Sequence, residues 1–247
     1  MELLAAFQFL TLLPIKRDFT AEQVGRSVVY FPVVGLVIGL FLAGLNWGLE
    51  FIFPEAVVNI LLLAALTILS GGLHLDGLAD TLDGMAGHRS AEERLAIMKD
   101  SRIGGFGAIG VSLFLLIEFV ILNSIPGTLK TEVLIVATVL SRWAMVNSIF
   151  VYPYARPVGL GIAFKKAVRP HHFVLATLVS LALTGILLKW AGLVIAVSVW
   201  IAITLMAKYF KSRLRGLTGD IYGAINELSF VIVLLITLLL THNYWLI

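Results

Sequence analysis

Three aspartates stand at i, i+4 and i+7 in the stretch Ser70-Gly-Gly-Leu-His-Leu-Asp76-Gly-Leu-Ala-Asp80-Thr-Leu-Asp83-Gly-Met-Ala-Gly87. At 100° per residue, a helix would hold Asp76, Asp80 and Asp83 within an arc of about 60°. Their neighbours are mostly Leu, Ala, Gly and Met, and no Lys or Arg lies in the segment. Like charges at this spacing repel, more strongly as the dielectric falls. A stripe of hard oxygen ligands suits Mg²⁺ or Mn²⁺. Mg²⁺ commonly takes one or two carboxylates and completes its shell with substrate phosphates. A solvated helix end, or a cation path through a carrier, would use the same residues differently.

A second cluster follows in Arg94-Leu-Ala-Ile-Met-Lys99-Asp100-Ser101-Arg102-Ile-Gly104-Gly105-Phe-Gly107. Lys99 and Arg102 precede a glycine-rich helix start, where free backbone N–H groups and the positive dipole end suit phosphate oxygens. Arg142 lies midway along an apolar run, between Ser141 and Trp143. An arginine at such depth costs roughly 2.5 kcal/mol or more and usually faces a bundle interior. Glu118 would make a structural partner for it; a phosphate in a polar cavity is the other reading. Further on, Thr218-Gly-Asp220 reads as a turn or helix cap. Asp220 and Glu227 are seven apart, on one side of a helix. The five glycines between Gly71 and Gly87 serve either close helix packing or room for a ligand.

The elements that must position these groups are membrane spans. The chain of 247 residues is 60% hydrophobic and 13% charged, with a mean hydropathy of +1.00. That is about half the charged share of a soluble domain. The absence of cysteine excludes a disulfide framework, thiolate catalysis and cysteine-ligated metals. The net charge of +3 gives no argument for nucleic acid. Seven runs meet the requirement of about 20 apolar residues: 30–49, 56–73, 104–122, 132–152, 173–190, 192–208 and 228–246. Leu3 to Pro14 is too short to cross and is expected at the interface or as a re-entrant segment. Trp47, Tyr152, Trp190, Tyr244 and Trp245 fall near span ends, where amphipathic rings sit.

Lysine and arginine in successive connections number three, zero, four, one, four, one, four and zero. The positive-inside rule then places the N-terminus in the cytoplasm and the C-terminus outside. The three longer loops, 74–103, 153–172 and 209–227, become cytoplasmic. The expected fold is an all-α polytopic membrane protein. It forms a single integral membrane domain over 1–247, with its active site on the cytoplasmic face. An oligomer is compatible with these features.

A cluster of carboxylates, bases and glycines at one membrane face fits metal-assisted phosphoryl chemistry. No Gly-x-Ser-x-Gly, Walker or dinucleotide motif is present. A cation-coupled transporter, a CDP-alcohol-type phosphotransferase and a scaffolding subunit remain alternatives at this level.

The stripe from Gly71 to Gly84, followed by Ile97-Met-Lys99-Asp100-Ser101-Arg102-Ile-Gly104, resembles the signature of the cobalamin synthase family, the adenosylcobinamide-GDP ribazoletransferases. The resemblance extends to Phe9–Pro14, Phe31–Gly35, Ser141-Arg142 and Thr218 through Glu227. It departs at Arg215-Gly216-Leu217, where a glycine pair is expected. It implies Mg²⁺-dependent transfer from adenosylcobinamide-GDP to a ribose hydroxyl of α-ribazole or its 5′-phosphate. The products are GMP and adenosylcobalamin or its 5′-phosphate. The location implied is the cytoplasmic (inner) membrane of a prokaryote, with lipid as surroundings. The expected roles are Mg²⁺ on Asp76, Asp80 and Asp83, and phosphates on Lys99, Arg102, Gly104 and Arg142. Asp100, Thr218, Asp220 and Glu227 are expected to complete the site.

Overall fold

The computed structural model describes residues 1–242. Within them the chain is helical apart from its connections, with one parallel bridge between Tyr154 and Leu217. The helices are α1 (Glu2–Leu10), α2 (Ala21–Arg26), α3 (Phe31–Leu49), α4 (Glu55–Leu69), α5 (Leu73–Met85), α6 (Ala91–Ile97), α7 (Gly105–Ser124), α8 (Gly127–Val151), α9 (Leu160–Ala167), α10 (Pro170–Leu214) and α11 (Gly219–His242). A 3₁₀ turn over Ser27–Tyr30 joins α2 to α3.

Helix α8 is the axis. Every residue from Val133 to Ile149 is buried, and α3, α10 and α11 pack around it. The outer helices instead expose apolar faces, such as Ile109, Leu113, Leu116 and Val120 of α7. So large an apolar surface needs a nonpolar surround. Five helical stretches are long and apolar enough to cross a membrane: Ala21–Leu49, Gly105–Ser124, Gly127–Val151, Pro170–Leu214 and Gly219–His242. The bent pair α4–α5 raises this to six.

The seven expected runs map onto these elements with two main differences. Runs 173–190 and 192–208 fall in α10, interrupted at Lys189 (φ 51°, ψ −132°). A Cβ built on Gly192 would lie 2.3 Å from the Thr184 carbonyl oxygen. Residues eight apart in a straight helix are about 12 Å apart, so the chain folds back at this point. The last run begins nine residues early, at Gly219 rather than 228. The polar groups that suggested a loop, Asn226 and Glu227, are satisfied partly by each other inside the helix. Loop 209–227 therefore shrinks to four residues, closed by Arg215 in the left-handed region (φ 64°). Loops 74–103 and 153–172 are largely helical as well. Tyr152 is buried, its hydroxyl donating to the Thr204 carbonyl at 3.3 Å, whereas Trp47 and Trp190 are exposed. The final residues of the last run, with Tyr244 and Trp245, lie outside the described residues.

The turn after α4 sets the site. Gly71 (φ 63°) and Gly72 (φ 68°) are both left-handed, a conformation that costs other residues strain. The chain turns there by 87°. Helix α5 consequently runs across the bundle, packed on α7 and α11. At the opposite end, Lys130 Nζ donates to Glu55 at 2.6 Å and to Asn59 at 3.0 Å, joining the starts of α4 and α8.

Candidate active site

The crossing of α5 over α11 is close at Gly77. A Cβ there would come within 2.7 Å of the Asp220 carbonyl oxygen. Gly84 likewise lies against Met98. These glycines serve helix packing, and Gly71, Gly72 and Gly87 serve turns.

Close packing brings Asp76 and Asp220 to one cavity of about 270 Å³, whose lining includes His74, Tyr154, Arg156 and Tyr222. Arg156 Nη2 donates to Asp220 Oδ2 at 2.7 Å and to the Met98 carbonyl at 3.3 Å. Thr218 Oγ1 donates to the same carboxylate oxygen at 3.2 Å and accepts the Ile221 N–H at 3.3 Å. Thr218 is thus a buried cap at the start of α11. Asp80 is half-buried beside these groups. Burial, then Asp76 and Asp220, push its carboxyl up to about 7, against the opposing pull of Arg156. The cluster holds more negative charge than its one arginine balances.

Asp83 has a different position. Its Oδ2 accepts the Gly104 N–H at 2.7 Å and its Oδ1 the Gly107 N–H at 2.9 Å. The backbone donors expected for phosphate are therefore filled by a carboxylate of the stripe. Asp83 caps α7 and ties it to α5. A Cβ on Gly104 or Gly107 would fall 2.4 Å from this carboxylate.

Around Asp83 a second, open depression of about 450 Å³ gathers Arg89, Asp100, Arg102 and Gly104. Arg102 Nη2 donates to Asp100 at 2.7 Å. That pairing holds the Asp100 carboxyl down at about 2. Lys99 is exposed and is not part of this lining. Of the expected phosphate residues, Arg102 and Gly104 are thus together, beside Asp83 rather than in the cavity that Asp76 and Asp220 line.

Arg142 and Glu227 line neither depression. Arg142 is 1% exposed and donates to Ser141 Oγ at 3.0 Å. Its Nε and Nη2 are buried without a hydrogen-bond partner, and among the described residues no carboxylate lies within ion-pair distance of it. Glu227 Oε1 accepts from Asn226 Nδ2 at 3.1 Å and lies 3.8 Å from His74 Nδ1. His74 is the link between this buried set and the cavity wall.

Sequence reasoning treated Arg156 only as part of a basic loop. Its signal was its place between Pro153 and Pro157, which favour an extended chain. That chain pairs with the Arg215–Leu217 segment. Ala155 N–H donates to the Leu217 carbonyl at 2.8 Å, and Leu217 N–H to the Pro153 carbonyl at 2.9 Å. Leu217, in the tripeptide where a glycine pair was expected, is fully buried in the core. Arg94 was also undervalued: it donates to the carbonyls of Gly84, Gly87 and Arg89 at 2.8–3.1 Å and closes the end of α5.

Among the described residues no three His, Cys, Asp or Glu side chains form a ready-made metal cage. The donor set does fit one hard cation. Asp76 and Asp80 present carboxylate oxygens, and the crowding at Asp80 is the charge excess that a divalent ion would relieve.

No solved structure matches the chain. It is 40% identical over 231 residues to an adenosylcobinamide-GDP ribazoletransferase of Roseiflexus sp. (strain RS-1), covering 93% of this chain and 86% of that one. It is 36% identical over 232 residues to the enzyme so named in Geotalea daltonii, covering 93% and 94%. Over 248 residues it is 36% identical to that of Shewanella amazonensis, covering 96% and 94%. A family model described as cobalamin-5-phosphate synthase matches residues 2–238, and by a match of that extent the chain belongs to the cobalamin-5-phosphate synthase family.

Proposed function

We propose that this protein transfers the adenosylcobinamide-phosphate group of adenosylcobinamide-GDP to a ribose hydroxyl of α-ribazole or its 5′-phosphate. The family and the names of its relatives support the reaction class. The observation that carries the site is the convergence of Asp76, Asp80 and Asp220 with Arg156 at one end of the bundle.

Asp76 and Asp80 would hold Mg²⁺, with diphosphate oxygens filling the remaining positions. When bound, that ion polarises the phosphoryl group and offsets charge on the leaving phosphate. A stripe carboxylate accepts the proton of the attacking hydroxyl. The hydroxyl oxygen bonds to the cobinamide-linked phosphorus, the diphosphate bridge breaks, and GMP departs with the bridging oxygen. Arg156, fixed by Asp220 and the Met98 carbonyl, presents positive charge to the phosphates. Arg89 and Arg102, beyond Asp83, extend that charge for the departing nucleotide.

The reading includes seven spans. A straight helix of 45 residues would be about 68 Å long, more than twice the hydrocarbon thickness. The break at Lys189 divides α10 into two crossings, which join α3, α4, α7, α8 and α11. The basic connections then place the N-terminus, α5 and both depressions in the cytoplasm.

The test is product identity. Purified protein in lipid vesicles receives adenosylcobinamide-GDP and Mg²⁺, with α-ribazole in one arm and its 5′-phosphate in the other. Adenosylcobalamin or its 5′-phosphate, with an equal amount of GMP, is expected. CMP release from a CDP-alcohol, or solute flux with no corrinoid product, would overturn the assignment.

A further inference from the structure

A third depression, of about 520 Å³, lies outside the site, between α2, α9 and the first turn of α10. Its cations are Arg26, Lys166 and Arg169, beside the imidazoles of His171 and His172, against one acid, Glu22. Arg26 is paired with Glu22 and lies 3.8 Å from Glu2. Among the described residues no carboxylate is within ion-pair reach of Lys166 or Arg169. The pocket therefore has two unbalanced cations, two imidazoles and the N-terminal turn of a long helix, a combination suited to a phosphate group.

What lies below the pocket selects the source of that phosphate. His171, Val174, Leu175 and Leu178 follow one another on a single face of α10. The three aliphatic residues are more than half exposed. A phosphate head on Arg169 and His171 would leave its attached groups running down an apolar, lipid-facing stripe. A soluble phosphate would make no use of that stripe. Basic pockets between helices on the cytoplasmic side are also where anionic headgroups concentrate.

The pocket shares a wall with the cavity beside Asp76. Leu160, Gly161 and Phe164 of α9 line the cavity, and Ala163, Lys166 and Ala167 line the basic pocket. Helix α2 touches α9 at the backbone, since a Cβ on Gly25 would meet the Ala163 carbonyl at 2.5 Å.

We propose that this pocket binds the headgroup phosphate of an anionic phospholipid, whose chains lie along Val174, Leu175 and Leu178.

The test is native mass spectrometry of the full-length protein titrated with phosphatidylglycerol or phosphatidylcholine. Competing arms contain inorganic phosphate or α-ribazole 5′-phosphate. Phosphatidylglycerol adducts are expected in preference to phosphatidylcholine. Lys166→Ala/Arg169→Ala should weaken them about 30-fold, at roughly one order of magnitude per 1.4 kcal/mol and about 1 kcal/mol per cation. Lys166→Arg/Arg169→Lys, which keeps the charges, should retain them. Equal binding of the two lipids would overturn the proposal. So would undiminished phosphatidylglycerol binding by the alanine variant, loss of binding in the charge-preserving variant, or displacement of the lipid by either soluble phosphate.

Discussion

Asp83 accepts the backbone N–H of Gly104 at 2.7 Å, across 21 residues of sequence. With the Gly107 contact at 2.9 Å, this fastens the last member of the aspartate stripe to the start of α7. The stripe therefore divides in its duties. Asp76 lines the cavity, Asp80 stands half-buried between the other two, and Asp83 holds two helices in register.

The division predicts unequal variants. Asp83→Asn keeps one acceptor but turns an amide donor toward an N–H group. It should lower stability by about 1–2 kcal/mol, the usual worth of a helix cap, with activity per folded molecule less affected than in Asp80→Asn. Thermal unfolding in lipid, measured beside specific activity, checks this. Unchanged stability with abolished activity would contradict it.

Arg156 should prove indispensable although it lies in an extended loop. Arg156→Gln removes the one cation paired with Asp220 and is expected to reduce kcat about 10²–10³-fold, the usual cost of losing a transition-state charge donor. Arg156→Lys should restore little, because Nη2 alone makes the Asp220 and Met98 contacts and leaves the rest of the guanidinium for phosphate, whereas a lysine held by those contacts has no second nitrogen to present. Steady-state kinetics on both variants decide the point.

The Mg²⁺ requirement should depend on pH in one direction. Asp80 has its carboxyl raised to about 7 by burial and by neighbouring Asp76 and Asp220. Below that value it carries a proton, which a metal ion must displace. The Mg²⁺ concentration giving half-maximal rate should rise up to about tenfold per pH unit as pH falls below 7, and level off above it. Mg²⁺ titrations between pH 5.5 and 8.5 measure it. A flat dependence would contradict a metal role for Asp80.

Arg142 and Glu227, both buried, should be energetically coupled although no ion pair joins them. Arg142→Met removes the buried positive charge that acts on Glu227 and should lower the unfolding temperature. Adding Glu227→Gln should recover part of that loss. A double-mutant cycle on folded yield and unfolding temperature tests the coupling. Additive losses would argue against the coupling.

Much of this was legible in the sequence because it is periodic. Long apolar runs announce the helices, and the i, i+4, i+7 spacing puts Asp76, Asp80 and Asp83 on one face before any coordinates exist. What escaped has no period. Arg156 meets Asp220 only because Pro153–Ala155 pairs with Leu217, a contact 62 residues long in sequence from Ala155 to Leu217. The filling of the α7 amides by Asp83 depends on how the chain returns after α6. The start of α11 was hidden because Asp220, Asn226 and Glu227 look like a loop until their partners, Arg156 and His74, are in place.

The most direct measurement compares GMP release by the parent protein and by Asp80→Asn, both in lipid with adenosylcobinamide-GDP, α-ribazole and a range of Mg²⁺. The account predicts Mg²⁺-dependent GMP from the parent and none from a variant that remains folded in the membrane. An Asp80→Asn protein releasing GMP with the parent's Mg²⁺ dependence would contradict it.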